Sequence, residues 1–359
     1  MAISKKQPEV THAEDTDSVI VSSRIRLARN FADECFPNSA TDEVLEKIFE
    51  KSAKIISAVA KFKGGELVEM GSTPQNRRDY LVETRLISKD LAQAAAHTGV
   101  YISKDGSSSV MINEEDHLRI QVLAKGQKLS SLWRTLSRID EGIESRAEFA
   151  FDEEYGYITS CPSNVGTGMR ASLMMHLPGL VLSDRMEKVI RGVNQLGMVA
   201  RGENGEGSEA IGSFFQISNQ QTLGLTEEQI VAKIVRIGRK LRTFEVNARL
   251  TLKQKRPLFL ADKLARAWGT LKFCEMLDSA EALSCISYLR LAADMGFIKG
   301  GKEVAESVLD PLITQIKPAH LQELMGLESP ETDLRDTIRA RFIKSALKNI
   351  SEPDLSSLK

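Results

Sequence analysis

The chain has 359 residues, 42% hydrophobic and 27% charged, with a formal net charge of −1. That balance is ordinary for a folded globular protein and excludes a collagen-like, disordered or membrane-embedded class. It also provides no global field to draw the protein to nucleic acid or anionic lipid, so any anion site must be a local cluster. Cys35, Cys161, Cys274 and Cys285 are scattered without a CxxC pair, which suits a reducing compartment and argues against a zinc ribbon or a disulfide scaffold. The length allows one large core and a smaller domain.

Residues 1–17 are polar and lack the apolar core of a signal peptide. They are expected to be a disordered lead-in, and with no apolar run near the ~18 residues of a spanning helix the protein is expected in the cytoplasm. Residues 18–30, SVIVSSRIRLARN, read as a strand running into a loop. In an extended segment Arg24 and Arg26 point to one side. Two like charges side by side are unfavourable unless an anion lies between them; a polyphosphate is one candidate and a solvated edge strand the other. Residues 41–61 have helical periodicity, 66–70 and 80–84 read as short strands, and 88–97 as a short helix. Residues 100–103 and 109–113 read as two strands around a turn at Lys104, Asp105 and Gly106.

Residues 113–119, NEEDHLR, come next. Three adjacent carboxylates repel one another unless they are solvated or have cationic partners. The stretch is therefore either an acidic loop or a site for a cation, a metal or a base. His117 by itself carries little, and the absence of HExxH leaves zinc protease chemistry unsupported. After an amphipathic helix at 130–139 comes Cys161 to Arg170, CPSNVGTGMR, between strand-like runs at 157–160 and 171–177. Its proline, asparagine and glycines are turn chemistry, bringing a thiol and an arginine to the mouth of a sheet. A helix at 183–195 and a strand at 197–201 lead to 201–209, RGENGEGSE, a glycine-rich loop of mixed charge. Such a loop suits a lid over a charged ligand, or is only a surface loop. Residues 211–218 read as a strand and 226–253 as a long amphipathic helix.

Pro257 marks a domain boundary, after which the pattern is wholly helical, over roughly 261–277, 281–295, 302–315 and 332–348. Residues 296–302 fit GxxxxGK, but Glu303 follows where a phosphate loop needs Ser or Thr, and no strand precedes it. The segment is assigned to a helix–helix connection. In 335–340, RDTIRA, Arg335 and Arg339 are like charges at i,i+4, either on a solvated face or in a second anion site.

Arg24, Arg26, Arg119, Arg170 and Arg201 lie in four separated stretches. If a sheet gathers them, they form a guanidinium cage for a nucleotide polyphosphate, with Mg²⁺ bridging the phosphates. Glu115 and Glu206 would be repulsive beside a triphosphate and become favourable if the acceptor is a cation. A guanidinium fits: carboxylates orient its planar fork and one removes a proton as nitrogen attacks phosphorus. Cys161 near cations could face the same guanidinium as a thiolate.

SSRIRLARN, NEEDHLR, CPSNVGTGMR and RGENGEGSEA, in this order and spacing, resemble the catalytic domain of the phosphagen (guanidino) kinase family, in particular its bacterial protein-arginine kinases. The likeness continues through the helical tail, where RDTIRA is similar to the RDxxRA motif of that branch. The resemblance implies an α+β fold, a large mostly antiparallel sheet flanked by helices, over 18–255, with an all-helical C-terminal domain over 256–359. It implies an ATP- and Mg²⁺-dependent kinase acting on exposed arginines of proteins, marking them for a Clp unfoldase/protease. By position, Ser22, Ser23, Arg24, Ile25, Arg26, Arg119, Arg170, Ala171, Ser172, Leu173, Met174, Arg201, Gly202, Glu203, Asn204, Gly205 and Glu206 would hold nucleotide. Glu115 would be the base, and Glu206 and Cys161 would position the guanidinium. Arg335, Asp336 and Arg339 would form a phosphoarginine-sensing site. Homo-oligomers and a zinc-bearing activator are also implied.

Two departures stand out. Arg85, expected among the nucleotide contacts, is where the family generally has a nucleotide-contacting histidine. The chain is expected to lack the helical N-terminal domain of free-guanidine phosphagen kinases, which would leave room for a protein segment as substrate. A kinase for free arginine or another small guanidino compound, and a non-catalytic adaptor binding phosphoarginine through Arg335 and Arg339, remain the alternatives.

Overall fold

In strand β1 (Ile20–Arg29) the odd positions Ile25 and Leu27 are fully buried while Arg24 and Arg26 on the even positions stay partly exposed. This period of two sorts apolar from charged side chains across the sheet. The computed structural model describes residues 17–94, 96–203, 210–326 and 331–358. Most of the expected lead-in lies outside those residues, as do Asn204, Gly205 and Glu206 of the glycine-rich loop.

The remaining strands are β2 (Glu66–Glu69), β3 (Gly99–Ile102), β4 (Ser108–Ile112), β5 (Leu118–Lys125), β6 (Phe151–Asp152), β7 (Gly156–Tyr157), β8 (Met169–His176), β9 (Met198–Gly202) and β10 (Phe214–Asn219). One eight-stranded sheet has the order β2-β3-β4-β5-β1-β8-β10-β9, antiparallel throughout, and β6 and β7 form a two-stranded ribbon. The helices up to residue 255 are α1 (Asp42–Ala58), α2 (Gln75–Glu83), α3 (Lys89–Gln93), α4 (Leu129–Glu144), α5 (Pro178–Leu182), α6 (Met186–Gln195) and α7 (Glu227–Lys255). On the apolar face of the sheet, Ile120 and Val122 of β5, Ala171, Leu173 and Met175 of β8, and Ile217 of β10 pack in one core with α4 and α7. Each large side chain so buried contributes about 1.5–3 kcal/mol. A Thr226–Gln229 capping box starts α7, and Pro257, which lacks an N–H, opens the next helix.

The C-terminal helices are α8 (Pro257–Phe273), α9 (Ser279–Asp294), α10 (Gly301–Val304), α11 (Asp310–Gln315), α12 (Pro318–Met325) and α13 (Thr332–Ala346), with a π turn at Ala305–Leu309 between α10 and α11. They surround a second core that includes Leu264, Ile286 and Leu312 and takes in Met174 and Phe214 from the sheet. Met174 continues the Arg170–Ser172 side of β8, so the helical unit sits on one end of the charged face. Buried ions fix the junction. Arg290 donates to Asp310 Oδ1 (2.6 Å) and Asp294 Oδ2 (3.2 Å), and Arg249 donates to Asp294 Oδ2 (3.0 Å) and Glu245 Oε1 (2.6 Å). Glu245 also accepts from the N–H groups of Gly179 and Leu180 at the start of α5. Charges this deep persist only when paired.

Several expected elements differ. Residues 80–84 are not a strand: 80–83 end α2, where Leu81 alone is buried. The alternation of Tyr80 and Val82 imitates a strand, but Gln, Arg and Glu favour the helix, and β3 already pairs with β2. The strand at 157–160 shortens to Gly156–Tyr157, and 211–213 is a 3₁₀ turn. Strand β5 and helix α12 lie outside the elements expected from the sequence. Residues 296–302 connect α9 to α10, as expected of a helix–helix link.

Candidate active site

The strand register brings the separated arginines together. Arg26 on β1 lies opposite Arg170 on β8 and Gln121 on β5. Ala28 lies opposite Arg119, Arg24 opposite Ser172, Ser172 opposite Ser218, and Gln216 opposite Arg201. Residues paired across neighbouring strands share a face. Arg24, Arg26, Arg119, Arg170 and Arg201 therefore stand on one side of the sheet, the side away from α4 and α7.

Electrostatically this face is incomplete. Burial, then Arg85 and Arg119, pull Arg24 down to about 10. Burial, then Arg24, Arg119 and Arg170, hold Arg26 well below the usual arginine range; burial, then Arg201 and Arg119, lower Arg170. The Nε atoms of Arg26 and Arg170 are buried without a hydrogen-bond partner among the described residues. Crowded guanidinium groups with unused donors are chemically suited to receive an anion. Gln216 and Glu114, which the sequence reading gives no role, hold two of them. Arg24 Nη2 donates to Gln216 Oε1 (3.0 Å), and Arg119 Nη1 donates to both oxygens of Glu114 (2.9 and 2.7 Å). The signal for Gln216 is the polar period of two in β10; Glu114 has none beyond the acidic run.

Not every residue in the two contiguous runs reaches this face. Ile25, Ala171 and Leu173 are fully buried in the core, and Ser23 Oγ is turned to Gly126 O (2.7 Å). Their side chains space the arginines instead. Arg29, on the odd side of β1, is buried against Asp140 (2.8 Å) and stacks 3.4 Å from the Tyr157 ring centroid. It also donates to Thr167 O (3.0 Å) at the base of the 161–170 turn. Gly168 there has φ +62, and a Cβ would come within 2.6 Å of Ala28 O.

The acidic stretch forms a tight turn between β4 and β5. Asn113, at φ 54, donates to Leu45 O (2.9 Å) and His97 O (2.8 Å). Asp116 accepts from Asn30 Nδ2 and from Ser160 N, each at 2.7 Å, which ties this turn to the one bearing Cys161. His117 is structural: Nδ1 accepts from Phe31 N (3.1 Å), so Nε2 carries the proton toward Cys35 O (2.9 Å). Glu115 is exposed. It borders a cavity of about 250 Å³ with Ser160 and one of about 330 Å³ with Arg119. Cys161 Sγ lies 3.1 Å from Ser163 Oγ.

A larger cavity of about 650 Å³ includes Arg24, Arg85, Arg201 and Glu203, with α9 and the start of α12 on its other side. Arg85, at φ 65, donates to Ser22 Oγ (3.4 Å) and pairs with Glu203. Glu206 lies outside the described residues, so its relation to Glu115 is not placed. Arg339 is fully buried: Nε donates to Ile316 O and Nη1 to Leu277 O, both at 2.8 Å, and the side chain pairs with Asp336. Its Nη2 and Arg335 Nε are buried and lack a partner among the described residues.

Residues 45–248 match the C-terminal catalytic domain of the ATP:guanido phosphotransferases, and 257–358 the C-terminal domain of the protein-arginine kinase McsB. The chain belongs to the ATP:guanido phosphotransferase family. It is 43% identical over 338 residues to the protein-arginine kinase of Bacillus cereus (strain AH187), and 41% identical over 339 residues to that of Syntrophomonas wolfei. Each alignment covers 93% of both chains. The fold is similar to the substrate-free duplicated taurocyamine kinase from Schistosoma mansoni, with TM-score 0.58 and 26% identity over 70% of this chain and 39% of that one.

Proposed function

We propose that the protein is a protein-arginine kinase that transfers the γ-phosphoryl group of ATP to arginine side chains. The observation that carries this reading is the gathering of Arg24, Arg26, Arg119, Arg170 and Arg201 on one face, with Glu115 at its border. Phosphoryl transfer needs positioning and neutralisation of charge more than covalent help, and fixed guanidinium groups supply both. The five arginines, Ser22, Ser172 and Gly202 hold the nucleotide. The unused donors of Arg26 and Arg170 fit phosphate oxygens. Mg²⁺ bound with the nucleotide would supply further neutralisation of phosphate charge beside these arginines.

Glu115 takes the proton released as the acceptor nitrogen attacks phosphorus, and Glu206 and Cys161 position the guanidinium. Residues 18–255 form the catalytic domain and 256–359 a regulatory one, in which Arg335, Asp336 and Arg339 bind phosphoarginine. Delivery of marked proteins to a Clp-type protease, activation by a zinc-bearing partner, self-association and residence in the cytoplasm belong to the same proposal. Among the described residues no helix is long and apolar enough to cross a membrane.

The test is mass spectrometry of an arginine-bearing protein incubated with the enzyme and MgATP, beside an assay with free arginine. Acid-labile phosphate on protein arginines supports the reading. Turnover of free arginine alone makes it a small-guanidine kinase, and turnover of neither leaves the adaptor.

A further inference from the structure

The C-terminal helices wall the large cavity as well as extending the chain. Lys317, just before α12, enters it from the helical side, with Nζ 4.0 Å from Glu203 Oε1. Arg85 pairs with that same oxygen. Two cations thus share one carboxylate; Glu83, the other acid lining the cavity, is taken up by the start of α12, and Arg24, Lys89 and Arg201 leave the lining with more positive than negative side chains. The Lys317 side chain is only 20% exposed. Burial is the chief cause that lowers its pKa; Glu203 and, more weakly, Glu83 oppose it, and Arg85 adds to it. Its desolvation is therefore incompletely offset, as expected of a cation still short of an anion.

The backbone of this lysine is fixed from both halves of the molecule. Glu83, at the end of α2, accepts from the N–H groups of Ala319 and His320 (2.9 Å each) and from His320 Nδ1 (2.8 Å). The His320 ring packs 4.4 Å from that of Tyr80. On the other side, Arg339 Nε holds Ile316 O, one residue before Lys317. A flexible side chain on an anchored backbone can exchange one anionic partner for another without moving the helix.

We propose that Lys317 is a nucleotide-site residue supplied by the C-terminal helical unit: with Arg85 it grips the polyphosphate of a nucleoside triphosphate from the helical side of the cavity, Glu203 holding both cations ready. This rests on the reading that the arginine face binds nucleotide. It makes the catalytic sheet and the helical unit two halves of one site. Nucleotide should then slow amide exchange over 316–321 as well as on β1 and β8.

The experiment compares full-length wild type with Lys317→Met, Lys317→Arg and Arg24→Met. It uses calorimetric binding of ADP and of a non-hydrolysable ATP analogue, steady-state KM and kcat for ATP, and thermal melts. Loss of one charge-assisted contact predicts about 5- to 50-fold weaker binding in Lys317→Met, read as a raised KM, with Lys317→Arg within about 3-fold of wild type. Arg24→Met should bind more weakly still. Wild-type binding by Lys317→Met while Arg24→Met fails would reduce Lys317 to a strut and leave the nucleotide reading standing. Wild-type binding by Arg24→Met would remove the nucleotide reading and this inference with it. Equal loss in both Lys317 variants, accompanied by lowered melting temperatures, would also overturn the proposal, because the defect would be structural.

Discussion

Arg26 and Arg170 stand directly opposite each other on β1 and β8, each with a buried Nε that lacks a partner among the described residues. Like charges directly opposite are destabilising by roughly 0.2–1 kcal/mol, and partial burial increases that penalty. On the proposed function, the pair would trade stability of the free protein for an anion site. Arg26→Met should leave the melting temperature unchanged or raise it by a degree or two. It should lower kcat/KM for ATP by about 10²–10⁴-fold. Thermal melts with and without MgATP check both halves: wild type gains about 2.7 kcal/mol at a hundredfold excess of ATP over Kd, and the variant gains nothing. A variant less stable than wild type and equally responsive to ATP would contradict this account.

Glu115 is exposed and borders the cavities on either side of the acidic turn. Glu115→Gln should lower phosphorylation of a protein substrate by about 10²–10⁴-fold while nucleotide affinity stays within about twofold. Calorimetry beside a single-turnover assay separates the two. A parent rate in the variant would remove Glu115 as the base.

Arg335 and Arg339 should behave differently despite their shared motif. Arg339 is fully buried and holds Leu277 O and Ile316 O, so Arg339→Ala leaves two carbonyls unpaired and should cost about 2–4 kcal/mol. Arg335 is only half-buried, and Arg335→Ala should cost less than about 0.5 kcal/mol while abolishing any response to phosphoarginine. Urea unfolding and a phosphoarginine titration measure the contrast. Equal destabilisation by the two would mean Arg335 is structural as well.

His176 lies at the junction of sheet and helical unit, accepting from Arg290 Nη1 (3.0 Å) and lying 2.7 Å from Ser287 Oγ. Burial, then Arg290 and Arg249, hold its pKa well below the usual histidine value; burial also lowers His117. Both therefore favour the neutral ring in the fold, His176 most strongly, whereas the unfolded chain takes up their protons near pH 6.5. Their stabilising effect is fully present above about pH 6.5. As pH falls below it the unfolded state binds more protons, and stability drops by up to about 1.4 kcal/mol per pH unit for each histidine. Urea midpoints at pH 7.5 and 5.5 test this, and His176→Gln should flatten the acid side. An acid slope unchanged in that variant would assign the effect elsewhere.

Much of the site can be read from the chain because strands have a period of two. Arg24 and Arg26 fall on one face and Ile25 and Leu27 on the other whatever β1 pairs with. The turn at 161–170 is fixed by its own chemistry, Gly168 requiring a positive φ and room that no Cβ could occupy. The expected strand at 80–84 is helix over 80–83 because alternation over five residues is too short to outweigh helix propensity. Strand β5 went unassigned because the acids before it and Arg119 within it drew the segment toward a loop reading, although LRIQVLAK alternates.

The sequence alone determined which residues carry charge, which positions alternate and where turns must fall, since these follow from local backbone geometry. It could not determine that Arg26 meets Arg170 or Gln216 meets Arg201, because register is a property of two strands at once. Nor could it reveal Lys317 beside Glu203, separated by more than a hundred residues and joined because Glu83 docks the start of α12 against the sheet half while Arg339 ties Ile316 to the helical unit. Contacts of that kind depend on how two cores pack together, and a chain read one segment at a time carries no signal for them.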